Sequence, residues 1–253
     1  MIKRDKHILC IKNIFHNVQS ISLPAVSGFV HNVYIVETSD NKYICRFSDK
    51  NTALYNMQTS KLLLSHGINV PDISMHNFQD LYCETYRFIN GKTLYERLIE
   101  GMSQENKEKV YKQIFNILRK INKIKSNIKA KPSIYTALRL VENMFALLNP
   151  QEKKMLCHND LHARNVILDQ NDNVYALIDI DSIYYCEPSF AFMTILSHAK
   201  LYGYQGEPLI KLYNQLYPYK RIISIKKQIN AYFCLLWFYK NIIHKHILNS
   251  RYK

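Results

Sequence analysis

The stretch Leu156-Cys157-His158-Asn159-Asp160-Leu161-His162-Ala163-Arg164-Asn165-Val166-Ile167-Leu168 decides how this 253-residue chain is read. A turn, Asp169–Asn173, follows it, and then Val174-Tyr175-Ala176-Leu177-Ile178-Asp179-Ile180-Asp181. Apolar runs flank a polar loop, and the next apolar run delivers one carboxylate and a second two residues on. Asp160, Asn165 and Asp179 are thus expected to converge where a loop meets a strand end. Asn165 and Asp179 supply oxygen ligands that suit Mg2+, an ion that takes the rest of its shell from water and phosphate. Asp160 is left to accept a hydroxyl proton and orient a nucleophile. A polar hairpin whose Asp and Asn residues only cap turns would use the same residue types, and is the plain alternative.

Working towards the N-terminus, Tyr34–Thr38 and Lys42–Phe47 are β-branched and aromatic runs around the turn cluster Ser39-Asp40-Asn41, which predicts a hairpin. Residues 1–50 as a whole read as strand-rich. A helical pattern over 52–66 stops at Gly67, and Leu81 to Ile89 reads as another strand ending in Asn90-Gly91. Beyond Thr93 the pattern turns helical. Ser103 starts a helix in which Val110, Ile114, Ile117, Leu118 and Ile121 step by three and four residues. A second amphipathic segment spans 133–148, and residues after 190 read as helical to the end. No internal repeat is visible.

Lys+Arg number 34 against 20 Asp+Glu, a net charge of +14. The excess sits in two blocks. Residues 107–131 hold nine Lys/Arg and one acid, and residues 208–253 hold nine Lys/Arg and no acid. Such charge suits an anionic partner, but no nucleic-acid-binding signature accompanies it, so a nucleic-acid partner is unsupported. The six cysteines lie at least 29 residues apart, which excludes CxxC sites and predicts reduced, buried thiols and a cytoplasmic protein. The longest apolar run, Ala231 to Tyr239, is nine residues, too short to span a membrane.

His-Asn-Asp-Leu-His-Ala-Arg-Asn, followed thirteen residues later by Ile-Asp-Ile-Asp, resembles the signature of the aminoglycoside phosphotransferase/choline kinase family. The resemblance implies an α+β, bilobal, protein-kinase-like fold, with a small antiparallel-sheet N-lobe (residues 1–89) and a larger, mainly helical C-lobe (90–253). It implies ATP and Mg2+ as cofactors, Asp160 as the catalytic residue, and Asn165 and Asp179 as metal ligands. Ser27–Val36 is similar to the family's phosphate loop, with Gly28 and Asn32 at its fixed positions. Lys42–Phe47 resembles the third strand and puts Arg46 at the phosphate-contacting cation. Tyr86-Arg87-Phe88-Ile89-Asn90-Gly91-Lys92-Thr93-Leu94 resembles the hinge, so the backbone of Tyr86 and Phe88 is expected to hydrogen-bond the adenine. His158 and His162 are expected to play hydrogen-bonded structural roles.

Two positions depart from the family pattern. Asn56 stands where a helix Glu should pair with the cation, and no acid occurs between Asp49 and Asp72, so Arg46 is expected to lack a fixed partner. Ala191 replaces a later Asp. A catalytically degenerate nucleotide-binding member is therefore one alternative. The acceptor is expected to be a small-molecule hydroxyl. An acid-free C-terminal segment is a poor host for a polycationic aminoglycoside, whereas aromatic rings such as Trp237 and Tyr239 could cage the quaternary ammonium of choline. Choline or ethanolamine is thus the leading named substrate, with an aminoglycoside or a sugar as alternatives and Asp181 as a further candidate substrate contact or second-metal residue.

Overall fold

In β-branched and aromatic segments, alternate side chains fall on opposite faces of a strand. A computed structural model, which describes residues 2–24, 32–126, 147, 153–201 and 207–216, shows how that alternation is used. Strands β1 (Val18–Ser22), β2 (Asn32–Thr38), β3 (Lys42–Ser48), β4 (Ser74–Phe78) and β5 (Leu81–Arg87) form an antiparallel sheet in the order β1-β2-β3-β5-β4. On one face, Tyr34, Val36, Cys45, Phe47 and Cys83 make a small apolar core. Arg46 and Glu84, paired across β3 and β5, leave from the other face.

The small core is closed by helix α1 (Ile2–Ile14), which corrects the reading of residues 1–50 as strand-rich at its N-terminal end. His7, Cys10, Ile11 and Ile14 are spaced as one helical stripe. Cys10 and Ile11 are fully buried. His7 stacks on Phe47 with ring centroids 3.9 Å apart, and its Nδ1 lies 3.1 Å from the Tyr34 hydroxyl. The stripe is hard to read because two of its four members are His and Cys, while an apolar neighbour, Leu9, is exposed.

Helix α2 (Lys50–Ser65) starts where the Asp49 side chain accepts the Thr52 N–H, and ends at His66 before Gly67, whose φ is +68°. The chain then crosses from the sheet through Gly91 into β6 (Lys92–Thr93), α3 (Leu94–Ile99) and α4 (Gln104–Lys123). A Thr93–Glu96 capping box starts α3, and Ser103 caps α4. Val110, Tyr111, Ile114, Phe115, Leu118 and Ile121 are the buried stripe of α4. Phe115 packs against Phe192 of α5 (Pro188–Leu201) and Tyr213 of α6 (Glu207–Leu216). Two short antiparallel sheets sit on this helical core: β7 (Met155–His158) with β10 (Ile183–Cys186), and β6 with β8 (Val166–Leu168) and β9 (Val174–Leu177). The Asp172 turn between β8 and β9 is held by Arg97 through two hydrogen bonds, of 2.6 and 2.9 Å.

The architecture is the expected one, α+β with a small antiparallel-sheet lobe and a mainly helical lobe. The segment 133–148, apart from Leu147, and everything after Leu216 lie outside the described residues. The five cysteines described are free and buried, and among the described residues no helix is long and apolar enough to cross a membrane.

Gly91 lies at φ +148°, and a Cβ there would meet the Leu168 carbonyl oxygen at 2.5 Å and Ile167 Cγ2 at 2.6 Å. The crossing strand therefore needs glycine for both conformation and space. Gly91→Ala should lower the unfolding free energy by about 1–3 kcal/mol, read as a shift in urea midpoint at unchanged m.

Candidate active site

The polar loop after β7 is built almost entirely from its own main chain. The Asp160 carbonyl accepts the His162 N–H at 3.0 Å and the Asn165 side-chain N–H at 2.8 Å. The Asn165 carbonyl accepts the Ile178 N–H at 2.9 Å, and the Asn159 N–H donates to Ser182 at 2.9 Å. These bonds tie residues 159–165 to residues 178–182, so Asp160, Asn165 and Asp179 are brought together as expected. Asp179 does not lie within a strand. β9 ends at Leu177, and Asp179 takes φ +58°, ψ +53°, a left-handed conformation that costs free energy for a non-glycine residue.

Arg46 reaches this turn from β3. It is only 8% exposed, and its Nη1 lies 3.2 Å from Asp179 Oδ1 while its Nη2 lies 2.5 Å from Asp181 Oδ2. The expectation that Arg46 lacks a fixed partner is thus overturned: two carboxylates bind it although α2 offers none. Asp181 is paired with Arg46 and remains partly exposed. Burial works against the Arg46 charge, but Asp181, Glu84 and Asp179 more than offset it, and its pKa stands above the ordinary arginine value. Asn56 serves a different residue. Its Nδ2 donates at 2.8 Å to Glu84, a fully buried acid on β5. Tyr55, its neighbour on α2, donates its hydroxyl to the Ile183 carbonyl and so ties the helix to the 179–183 segment.

Burial, and then the charges of Asp179 and Asp181, push the Asp160 carboxyl up to about 7. His162 Nδ1 accepts the Arg164 N–H at 3.2 Å, which leaves the proton on Nε2, 3.7 Å from Asp160 Oδ2. Among the described residues no three His, Cys, Asp or Glu side chains are placed to hold a metal by themselves. Asn165 and Asp179 nevertheless fit a hard cation that shares its shell with phosphate. Asn165 spends its N–H on the Asp160 carbonyl and so keeps its oxygen for a ligand, and Asp179 belongs to a cluster of three carboxylates whose mutual repulsion a divalent ion would relieve.

The hinge keeps main-chain bonds to β3. The Phe88 N–H donates to the Lys42 carbonyl at 2.8 Å, and Tyr86, two residues back in the same register, also turns its main chain to β3. The Tyr86 side chain is partly buried near Arg46, Asp179 and Glu84, and desolvation raises its hydroxyl pKa. Asn32 is exposed at the start of β2. Gly28, Trp237 and Tyr239 lie outside the described residues. The residues that sequence reasoning missed are Glu84 and Tyr55. Glu84 had one signal, a lone acid in the otherwise uncharged run Leu81–Tyr86.

His158, fully buried at the end of β7, has its Nε2 3.4 Å from the Ile178 carbonyl and its Nδ1 3.4 Å from the Asp160 N–H. Burial pushes it down to about 4. An unfolded histidine takes up its proton near pH 6.5, so the folded state loses stability as pH falls from there towards 4. Between pH 7.5 and 5 the His158 share should be about 2 kcal/mol, and His158→Gln should flatten the pH dependence of the urea midpoint by that amount.

A sequence model of the phosphotransferase enzyme family matches residues 131–217, which include the whole 156–188 segment. Solved structures of similar fold include an aminoglycoside-3'-phosphotransferase of type VIII (13% identity, TM-score 0.64, 89% of this chain and 96% of that chain covered). A second is the aminoglycoside phosphotransferase APH(3'') from Streptomyces rimosus in complex with ADP and streptomycin (13%, 0.64, 93% and 98%). A third is the spectinomycin phosphotransferase APH(9) in complex with ADP and spectinomycin (14%, 0.62, 91% and 84%). The chain has the protein-kinase-like fold of the aminoglycoside phosphotransferases, and its central motifs carry the sequence pattern of the phosphotransferase enzyme family.

Proposed function

We propose that the protein transfers the γ-phosphoryl group of a nucleoside triphosphate to a hydroxyl of a small molecule. The observation that carries this reading is the convergence of Asp160, Asn165 and Asp179 on one loop-and-turn unit with the buried Arg46 cation against it. In this reading residues 1–89 form the nucleotide lobe and residues 90–253 the acceptor lobe. Arg46 holds the α- and β-phosphates, and the hinge at Tyr86 and Phe88 borders the base. Asn165 and Asp179 would hold Mg2+, which neutralises phosphate charge when bound. Asp160 orients the acceptor hydroxyl and takes its proton; a carboxyl with a pKa near neutrality is suited to accept and then release it. The attacking oxygen bonds to the γ-phosphorus as the bond to the bridging β–γ oxygen breaks, and the nucleoside diphosphate leaves.

ATP is the proposed donor. Similar structures have been solved with ADP, AMP-PNP and GDP, so GTP is the comparison to run. The choline reading depends on Trp237 and Tyr239, outside the described residues, and nothing in the described site favours a quaternary ammonium over an aminoglycoside or a sugar. A panel of choline, ethanolamine, kanamycin, streptomycin, spectinomycin and simple sugars, scored for nucleoside diphosphate release and phosphorylated product, separates these acceptors. It also separates a kinase from a degenerate nucleotide binder, which would release none.

Asp160→Ala should lower turnover by at least about a thousandfold while leaving Mg-nucleotide binding within about twofold of the wild type, because the aspartate acts on the acceptor. Turnover retained in that variant would remove Asp160 from its role. Asp179→Asn should instead weaken Mg-dependent nucleotide binding itself, read by titration calorimetry with and without the metal.

A further inference from the structure

Arg46 is almost wholly buried, yet both of its ion-pair partners, Asp179 and Asp181, belong to the turn that would serve the metal. Once Asp179 turns to a cation, the guanidinium loses part of its compensation. A buried charge needs a counter-charge that stays in place.

The sheet itself offers one. Glu84 stands directly opposite Arg46 in the β3–β5 register, and directly opposed residues of antiparallel strands share a face. Glu84 has no solvent exposure, and each of its carboxylate oxygens is clamped by a donor: Ser48 Oγ at 2.6 Å on Oε1 and Asn56 Nδ2 at 2.8 Å on Oε2. Ser48 comes from the end of β3 and Asn56 from α2, so strand and helix together fix the acid. Neither donor depends on the metal turn.

We propose that Glu84 is the permanent counter-ion of Arg46, a positioning residue that moves the acid usually expected on the helix to strand β5, with Asn56 and Ser48 as its clamp. This rests on the reading of Arg46 as a phosphate contact. Glu84 keeps the guanidinium in the sheet while Asp179 and Asp181 exchange it for metal and phosphate. Asn56 is then part of this arrangement, rather than a lost function.

The test uses the full chain and calorimetric titration with Mg-ADP and Mg-GDP. Glu84→Gln keeps the shape but removes the charge, and Asn56 can turn its Oδ1, which has no hydrogen-bond partner in the structure, to the new amide. Its nucleotide affinity should fall about tenfold, the scale of losing a supporting residue behind a ligand-binding group. The double variant Glu84→Gln/Asn56→Glu returns one acid to that face from the helix and should recover most of the loss, which a merely structural role for Glu84 would not produce. If Glu84→Gln does not fold, the double variant alone is read: wild-type affinity supports the proposal, and a folded protein with lost affinity overturns it. Arg46→Gln separates the two levels. If it loses binding while Glu84→Gln keeps wild-type affinity, Glu84 has no positioning role and the proposed function stands. If Arg46→Gln binds as the wild type does, the phosphate role of Arg46 fails, and the proposal for Glu84 fails with it.

Discussion

A guanidinium taken out of water between a sheet and a turn has to be matched by negative charge, and that requirement organises the site. Arg46 is held between an acid in its own sheet and two carboxylates of a neighbouring turn. The pairing spans 133 and 135 residues of sequence and draws the sheet lobe onto the helical lobe. Tyr55, with its hydroxyl on the Ile183 carbonyl, adds a second tie between α2 and the same turn. The cation is therefore a structural link between sheet and turn, and it is a ligand in the proposed reaction.

The loop that faces it is precise for a different reason. Its shape comes from main-chain bonds closed by Asn159 and Asn165, with His158 buried beneath in its neutral form. Asn165 thus serves the frame with its amide N–H and keeps its oxygen for a ligand, while Asp160 has no part in closing the loop through its carboxylate. The left-handed residue Asp179 is the one place where the frame is under backbone strain, and it is also the proposed metal ligand.

The central motif was legible because its residues are polar where the pattern calls for apolar strands, and such exceptions stand out. The β2–β3 hairpin, the end of α2 at Gly67 and the Ser103 cap were legible from turn and cap chemistry, which is local. What could not be read locally was pairing. Glu84 and Arg46 meet because two strands adopt a particular register, and Asp181 meets Arg46 because a turn folds back over 135 residues. Asn56 looked like a lost acid in a one-dimensional comparison; in three dimensions it holds an acid donated by another element. Helix α1 escaped notice because a stripe of His, Cys and two isoleucines does not look apolar until it is covered.

That helix has a further consequence. The sheet carries Arg46 and Glu84 on one face and packs α1 on the other. Every recognisable motif lies after Val18, and a fragment trimmed to the motifs would keep each of them. It would also lay bare Tyr34, Cys45, Phe47 and Cys83 as an adhesive patch beside unpaired strand edges. The cover of this apolar face is a helix that carries none of the signature residues.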